Sequence, residues 1–218
     1  MTATDVTPVP NHHADHPGCT GLLGGLAGLT MILGRTEDAA LAMKLTSAAV
    51  GDRVVDVGCG PGTAARFAAG RGARVTGVDP AGVMLRLARR LTRGRTNVEF
   101  VEGSAESLPV PDASVDVVWT IASVHHWRDV EAGLTEVRRV LGPGGRFLAA
   151  ERRIRPGATG LASHGWTDDQ AAVFAGMCRD HGFDDVRTER HTVHLWRGSI
   201  GPRNLVAVIA RSAQVGER

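Results

Sequence analysis

The chain has no tyrosine, a single lysine at position 44 and only 4% aromatic residues. Proteins that handle single strands or flipped bases stack them on aromatic side chains. The 25 basic and 23 acidic residues leave a formal net charge of only +2. Neither feature suggests a nucleic-acid partner, and the charge balance gives no general attraction to an anionic membrane. Cysteine is also scarce. Cys19, Cys59 and Cys178 are an odd set spread far apart, which argues against a disulfide framework and for a reducing compartment. Long apolar runs are missing as well. The most apolar early stretch, 21–33, is 13 residues long and rich in glycine, whereas a membrane span needs about 20. The N-terminus lacks a basic start followed by an apolar run, so no signal peptide is expected. A soluble, cytoplasmic protein is the expectation.

With 218 residues, 43% of them hydrophobic, the chain can build one large domain that buries roughly 70% of its unfolded surface. Residues 1–18 are rich in Pro, His and Asp without periodicity and are expected to be a mobile tail. The single domain is expected over 19–218. It divides into an N-terminal helical cover (19–50), a cofactor-binding core (51–151) and a C-terminal helix and hairpin (152–218). Thr36 with Glu37 and Asp38 opens a helix. Strands are predicted at 53–58, 74–78, 97–101, 115–121 and 146–151, with helices predicted at 81–93 and 130–141. The second of these helices is stopped by the Gly142-Pro143-Gly144-Gly145 run. Strands alternating with helices make βαβ units, hence an α/β fold with a parallel sheet covered on both faces. Thr167 and Gln170 form a capping-box pattern for a helix to about 181. Two strands, 185–193 and 204–210, follow around a turn at 197–199. That turn is too short for a crossover, so the pair is expected to be antiparallel.

The strongest motif is Val54-Val55-Asp56-Val57-Gly58-Cys59-Gly60-Pro61-Gly62-Thr63. A buried strand ends, glycines turn the chain, and a helix begins, which lets a ligand approach the backbone. The G-x-G-x-G spacing differs from the dinucleotide G-x-G-x-x-G. Asp56 would repel a pyrophosphate but suits a ligand with a positively charged amine, such as S-adenosylmethionine. A tight strand-to-helix turn and nothing more is the plainer reading. Asp79, 79 − 56 = 23 residues after Asp56, is placed to hold two ribose hydroxyls; it also suits a helix N-cap, and the roles can coexist.

Together DVGCGPGT, GVDPAGVML, GSAESLPVPDASVDVV, SVHHW and EVRRVLGPGGRFLAAE resemble a class I S-adenosylmethionine-dependent methyltransferase of the ubiquinone/menaquinone-biosynthesis-like group (methyltransferase domain 11 type). The resemblance covers about residues 40–151. It implies a Rossmann-like, doubly wound, mostly parallel seven-stranded sheet of order 3-2-1-4-5-7-6 with the last strand antiparallel. It further implies that Gly58, Cys59 and Gly60 face the methionine part of the cofactor, Asp79 the ribose, and Pro80 and Met84 the adenine. The amide of Ala105 would serve the adenine ring, and Thr120 falls on the cofactor side. Relatives usually carry Asp where this chain has Ser104. A neutral acceptor makes a weaker bond than a charged one, so weaker cofactor binding, or a supporting role for Glu106, is expected.

Ser123-Val124-His125-His126-Trp127 lies just past the fourth strand, where open α/β sheets bind ligands. A histidine there can take a proton from an acceptor hydroxyl near neutral pH. His125-His126-Trp127-Arg128-Asp129 resembles the H-x-W-x-D stretch of small-molecule O-methyltransferases, which makes His125, with His126, the candidate catalytic residue. The alternative is that both only shape their loop, because the sulfonium already activates its methyl group and positioning supplies much of the rest. His12, His13, His16 and Cys19 are a poor ligand set in an expected tail, so no metal is expected. Arg86, Arg89, Arg90 and Arg93 form a helical stripe that reads as a solvated face, opposite Val83, Leu87 and Leu91. The expected activity is methyl transfer to a small molecule, with oxygen favoured as the receiving atom. The segment 21–44 is expected to cover the pocket. A non-catalytic cofactor-binding module and an RNA or protein methyltransferase are the rivals. The acceptor and the oligomeric state are not legible.

Overall fold

A computed structural model describes residues 9–14, 36–194 and 202–213. Seven strands, β1 (Arg53–Val57), β2 (Arg74–Asp79), β3 (Val98–Glu102), β4 (Val115–Ile121), β5 (Leu141–Arg152), β6 (Phe183–Val193) and β7 (Arg203–Ser212), form one sheet of order 3-2-1-4-5-7-6. The pairs β2/β3, β1/β2, β1/β4 and β4/β5 are parallel, and β7 runs antiparallel to both β5 and β6. The expected fold class is the observed one. The turn expected at 197–199 lies outside the described residues.

The helices are α1 (Thr36–Thr46), α2 (Thr63–Ala69), α3 (Gly82–Leu91), α4 (Val130–Val140) and α5 (Asp168–Asp180). β1 and β4 are buried almost throughout because helices cover both sheet faces. On one face, Val130, Leu134 and Val137 of α4 and Phe174 of α5 pack with Phe147 and Trp166. On the other, alanines carry much of the contact. Ala39 and Ala42 of α1, Ala64, Ala65 and Ala68 of α2, and Ala88 of α3 share a core with Trp119 and Phe100. Small side chains let these helices lie close to the sheet. No helix of the described residues is long and apolar enough to cross a membrane.

Two local expectations change. The Gly142–Gly145 run does not separate helix from strand: Leu141 already pairs with Val115, and the register slips between Val115 and Val117 to absorb the glycines. On α3 the buried stripe is Met84, Leu85 and Ala88, while Leu91 is 44% exposed. The helix is rotated so that Met84 meets a cavity described below, and Arg89 reaches back to the carbonyl of Phe100 at 2.6 Å.

Part of the expected mobile tail is docked. The Trp166 indole N–H donates to the Pro10 carbonyl at 2.7 Å, the Gln170 amide to the Val9 carbonyl at 2.9 Å, and the Asn11 amide to the Trp127 carbonyl at 3.1 Å. Composition alone hides such anchoring, because the partners that fix residues 9–14 lie more than 100 positions away. His16, Cys19 and the cover expected over 21–35 lie outside the described residues.

Candidate functional site

The carboxyl ends of β1, β2, β4 and β5 bring the chemistry to one edge of the sheet. The strand order reverses between β1 and β4, which is where a ligand crevice forms in this architecture. A cavity of about 910 Å³, its open mouth included, lies there. Asp56, Gly58, Cys59, Gly60, Asp79, Pro80 and Met84 line it, with Ile121, Ser123 and His126 from the β4 end. Those first seven are all residues expected at the cofactor.

The glycine turn has the conformation its composition calls for. Gly58, Gly60 and Gly62 have φ of +70°, +53° and +74°. The Gly58 and Cys59 amides donate to the Val78 carbonyl at 2.8 and 3.0 Å, and the Gly60 amide donates to Asp79 Oδ2 at 2.8 Å. The turn is therefore tied to the end of β2. A Cβ on Gly58 would sit 2.0 Å from Ser123 Oγ, whereas one on Gly60 would meet nothing within 4 Å. This contrast separates backbone strain from steric fit. Gly60→Ala is expected to cost only the left-handed conformation, about 1–2 kcal/mol. Gly58→Ala carries that cost plus the clash with Ser123, and should melt lower than Gly60→Ala by several degrees in a thermal scan, at ~2–4 °C per kcal/mol. Equal melting temperatures would refute the close approach of Ser123.

Two carboxylates are buried in the cavity wall, Asp56 at 2% and Asp79 at 8% exposure. Burial raises the Asp79 carboxyl above its ordinary value, opposed by hydrogen bonds from the Ala81 and Gly60 amides. Asp79 Oδ1 takes the Ala81 amide at 2.8 Å, but the N-cap of α3 is Ala81 and has no side-chain cap; the alternative expected for Asp79 is corrected to a tether just ahead of the helix, which leaves further lone pairs for a ligand. Burial pushes the Cys59 thiol well above its ordinary value, which makes it an uncharged wall. The wall fits a cofactor that combines an amine with a ribose: two buried acceptors, left-handed glycines and an apolar flank at Met84 and Pro80.

Ser104, Ala105, Glu106 and Thr120 do not line the cavity. Ala105 is 6% exposed within the apolar core, and Thr120 is buried with no hydrogen-bond partner at Oγ1. Glu106 has other work. Its Oε1 accepts from the amides of Arg128 and Asp129 at 2.8 and 3.3 Å. Burial works to raise this carboxyl, but hydrogen bonds from the Ser104 hydroxyl and nearby amides outweigh it and hold it below the ordinary range. It clasps the loop after β4.

That loop begins with a 3-10 turn, Val124–His126. His125 is 2% exposed, and its Nδ1 lies 2.9 Å from Oε2 of Glu151, itself 1% exposed at the end of β5. His126 lines the cavity, and His125 does not. Burial, then the neighbouring His125 and His164, lowers the His126 imidazole to about 4, so it is neutral near pH 7. Glu151 and His164 escaped sequence reasoning. Glu151 closes the EVRRVLGPGGRFLAAE motif, yet no spacing rule links it to a histidine 26 positions earlier.

The methyltransferase domain family matches residues 55–149. Over 109 residues the chain is 37% identical to the ubiquinone/menaquinone biosynthesis C-methyltransferase UbiE of Rubrivivax gelatinosus, a match covering 50% of this chain and 43% of that protein. It is 41% identical over 107 residues to a fatty-acid O-methyltransferase of Mycolicibacterium smegmatis, covering 48% and 39%. The chain thus spans less than half the length of these curated relatives. The crystal structure of YcgJ from Bacillus subtilis superposes with a TM-score of 0.66 at 21% identity, covering 82% of this chain and 98% of that one. The family match takes in less than half of the chain, and the superposition at 21% identity shows the fold.

Proposed function

We propose that the chain transfers a methyl group from S-adenosylmethionine to a small molecule, with an oxygen as the receiving atom. One observation carries this reading: a single cavity has the glycine turn, Asp56 and Asp79 on one wall, and Ser123 and His126 on the other. The first wall suits the cofactor and the second an acceptor. The cofactor supplies a methyl group already activated on a sulfonium.

The chain's own residues bind, orient and exclude water. Asp79 accepts from the ribose hydroxyls while it pins the glycine turn, and Asp56 offsets the ammonium. Gly58, Cys59 and Gly60 bring bare backbone against the methionine part, and Pro80 and Met84 flank the adenine. Ser104 directs its proton to Glu106; it and Ala105 lie outside the cavity lining, so an adenine contact from either requires the loop after β3 to close on the cofactor. Thr120 backs the wall from the core. At the other wall a neutral His126 can accept the acceptor's proton, and His125 stands behind it, oriented by Glu151. The relatives include both a C- and an O-methyltransferase. The histidines favour oxygen, since a hydroxyl must lose a proton as it is methylated.

The test is formation of S-adenosylhomocysteine from labelled S-adenosylmethionine over a panel of small hydroxyl, amine and enol acceptors, with bulk RNA and protein included. Turnover on hydroxyl compounds supports the reading. Transfer only to amines or carbon sinks the oxygen assignment. Cofactor binding without transfer to any acceptor favours a non-catalytic module, and transfer confined to RNA or protein favours the macromolecular rival.

A further inference from the structure

Three imidazoles gather at and behind the acceptor wall, of which His126 lines the cavity. His125 and His126 come from the turn after β4, and His164 from the loop after β5, next to the 3-10 turn Gly160–Ser163. The His125 and His126 ring centroids lie 4.1 Å apart, and the His164 ring is 5.5 and 5.4 Å from them. One nitrogen from each of the three lies within 4.8 Å of the others. We infer that His125, His126 and His164 bind a divalent transition-metal ion of the zinc type beside the acceptor end of the cavity, where His126 lines it.

The donor set selects the ion. Three imidazoles without a carboxylate or thiolate among them suit zinc and its neighbours rather than magnesium or calcium. Three protein ligands also leave a fourth position open, as in catalytic rather than structural zinc sites. Behind the set stands Glu151, whose Oε2 holds Nδ1 of His125 and leaves Nε2 for the ion. A carboxylate in this place fixes ring orientation and makes the imidazole a better ligand. The Nδ1 of His126 is buried without a hydrogen-bond partner. Buried polar atoms are rarely left so, and a ligand role accounts for it.

The third ligand is positioned by its surroundings. The Arg152 guanidinium donates to the carbonyls of His164, Leu161 and Ala162 at 2.9, 2.7 and 2.8 Å. Gly165 has φ of +140°, and a Cβ there would lie 2.1 Å from the Arg152 carbonyl. No other residue type lets the loop lie this close. The His13 ring stacks on His164 at 4.3 Å and 10°, and its amide donates to the His125 carbonyl at 2.9 Å. The docked tail thus braces the cluster. Zinc–nitrogen bonds of about 2.0–2.1 Å place tetrahedral ligands roughly 3.4 Å apart, so nitrogens up to 4.8 Å apart must close by up to roughly 1.4 Å.

The inference rests on the proposed function in so far as this wall receives the acceptor. A nitrogen bound to an ion takes no proton, so metal loading excludes the free-base role of that histidine. The test is calorimetric titration of zinc chloride into the full chain after chelator dialysis, with S-adenosylhomocysteine titrated into the same samples. One equivalent of zinc should bind with a micromolar or tighter dissociation constant, and magnesium should not compete. His164→Ala and His126→Asn should each weaken zinc at least ~10-fold, and Glu151→Gln ~10–100-fold. Circular dichroism reports whether each variant folds. His164 lies in a loop outside the core, so that variant keeps the test open if His126→Asn fails to fold. No saturable zinc binding overturns the inference, and so does wild-type affinity in both histidine variants, which would place the ion elsewhere. The S-adenosylhomocysteine titration reads the cofactor wall independently, so either wall can fail alone.

Discussion

Asp79→Ala is expected to lose S-adenosylhomocysteine binding at least ~100-fold by calorimetric titration, from a micromolar wild-type value. The Asp79 carboxylate accepts the Gly60 amide at 2.8 Å through Oδ2 and the Ala81 amide at 2.8 Å through Oδ1. Its removal therefore frees the glycine turn and the start of α3 as well as taking away the ribose acceptor. Hydrogen bonds to a charged group contribute about 1.5–3 kcal/mol each. Two ribose hydroxyls then amount to roughly 3–6 kcal/mol, and each 1.4 kcal/mol is tenfold in affinity. Asp79→Asn should fall between, because its amide NH2 faces an N–H donor at one oxygen site while its carbonyl serves the other. An Asp79→Ala variant that binds within ~3-fold of wild type would remove the ribose role from this residue. A wild type that does not bind would remove the cofactor from the proposed function and leave only the fold.

The wall that Asp79 dominates was legible because it is local in the chain. Gly58 to Gly62 and Asp79 announce themselves by residue type and spacing, and strands with buried β-branched runs fixed the topology around them. The acceptor wall was not. Glu151 reads as the polar end of a strand, and His164 sits in a connection with no periodicity. They meet His125 only because β4 and β5 are parallel neighbours, with Ile121 paired to Ala150. The same register places Glu151 one step beyond the pairing, level with the turn that carries the histidines. Among the described residues the partners of His12 and His13 are Ser163, Gln170 and the His164 ring, all far along the chain from the tail. Ser104 drew notice only through the resemblance, and its neighbour Glu106 is engaged by the Arg128 and Asp129 amides. A carboxylate spent on a loop offers less to an adenine ring, and that engagement depends on a turn 22 residues away.

His125→Ala is expected to be among the most destabilising substitutions in the chain, although His125 lies beside a ligand cavity and not in the apolar core. Its side chain is 3% and that of Glu151 1% exposed, with 2.9 Å between Nδ1 and Oε2. Removing one member of such a pair strands the other, at about 3–5 kcal/mol, or roughly 10 °C in melting temperature at ~2–4 °C per kcal/mol. The stranded group here is a carboxylate whose other oxygen has only a long contact, 3.4 Å, to the His125 amide. Relief should therefore come from removing the charge. Glu151→Gln added to His125→Ala should recover part of the loss, and the apolar pair His125→Leu with Glu151→Met should come close to wild-type stability, because two desolvated polar groups are replaced together. A buried pair that contributes little net stability is retained for another reason, and holding one imidazole nitrogen at a fixed place beside the cavity is such a reason. The thermal cycle is decisive on this point. If the single and double variants melt together within about 2 °C, Glu151 does not depend on His125, and the orienting role assigned to it is lost along with the stability argument.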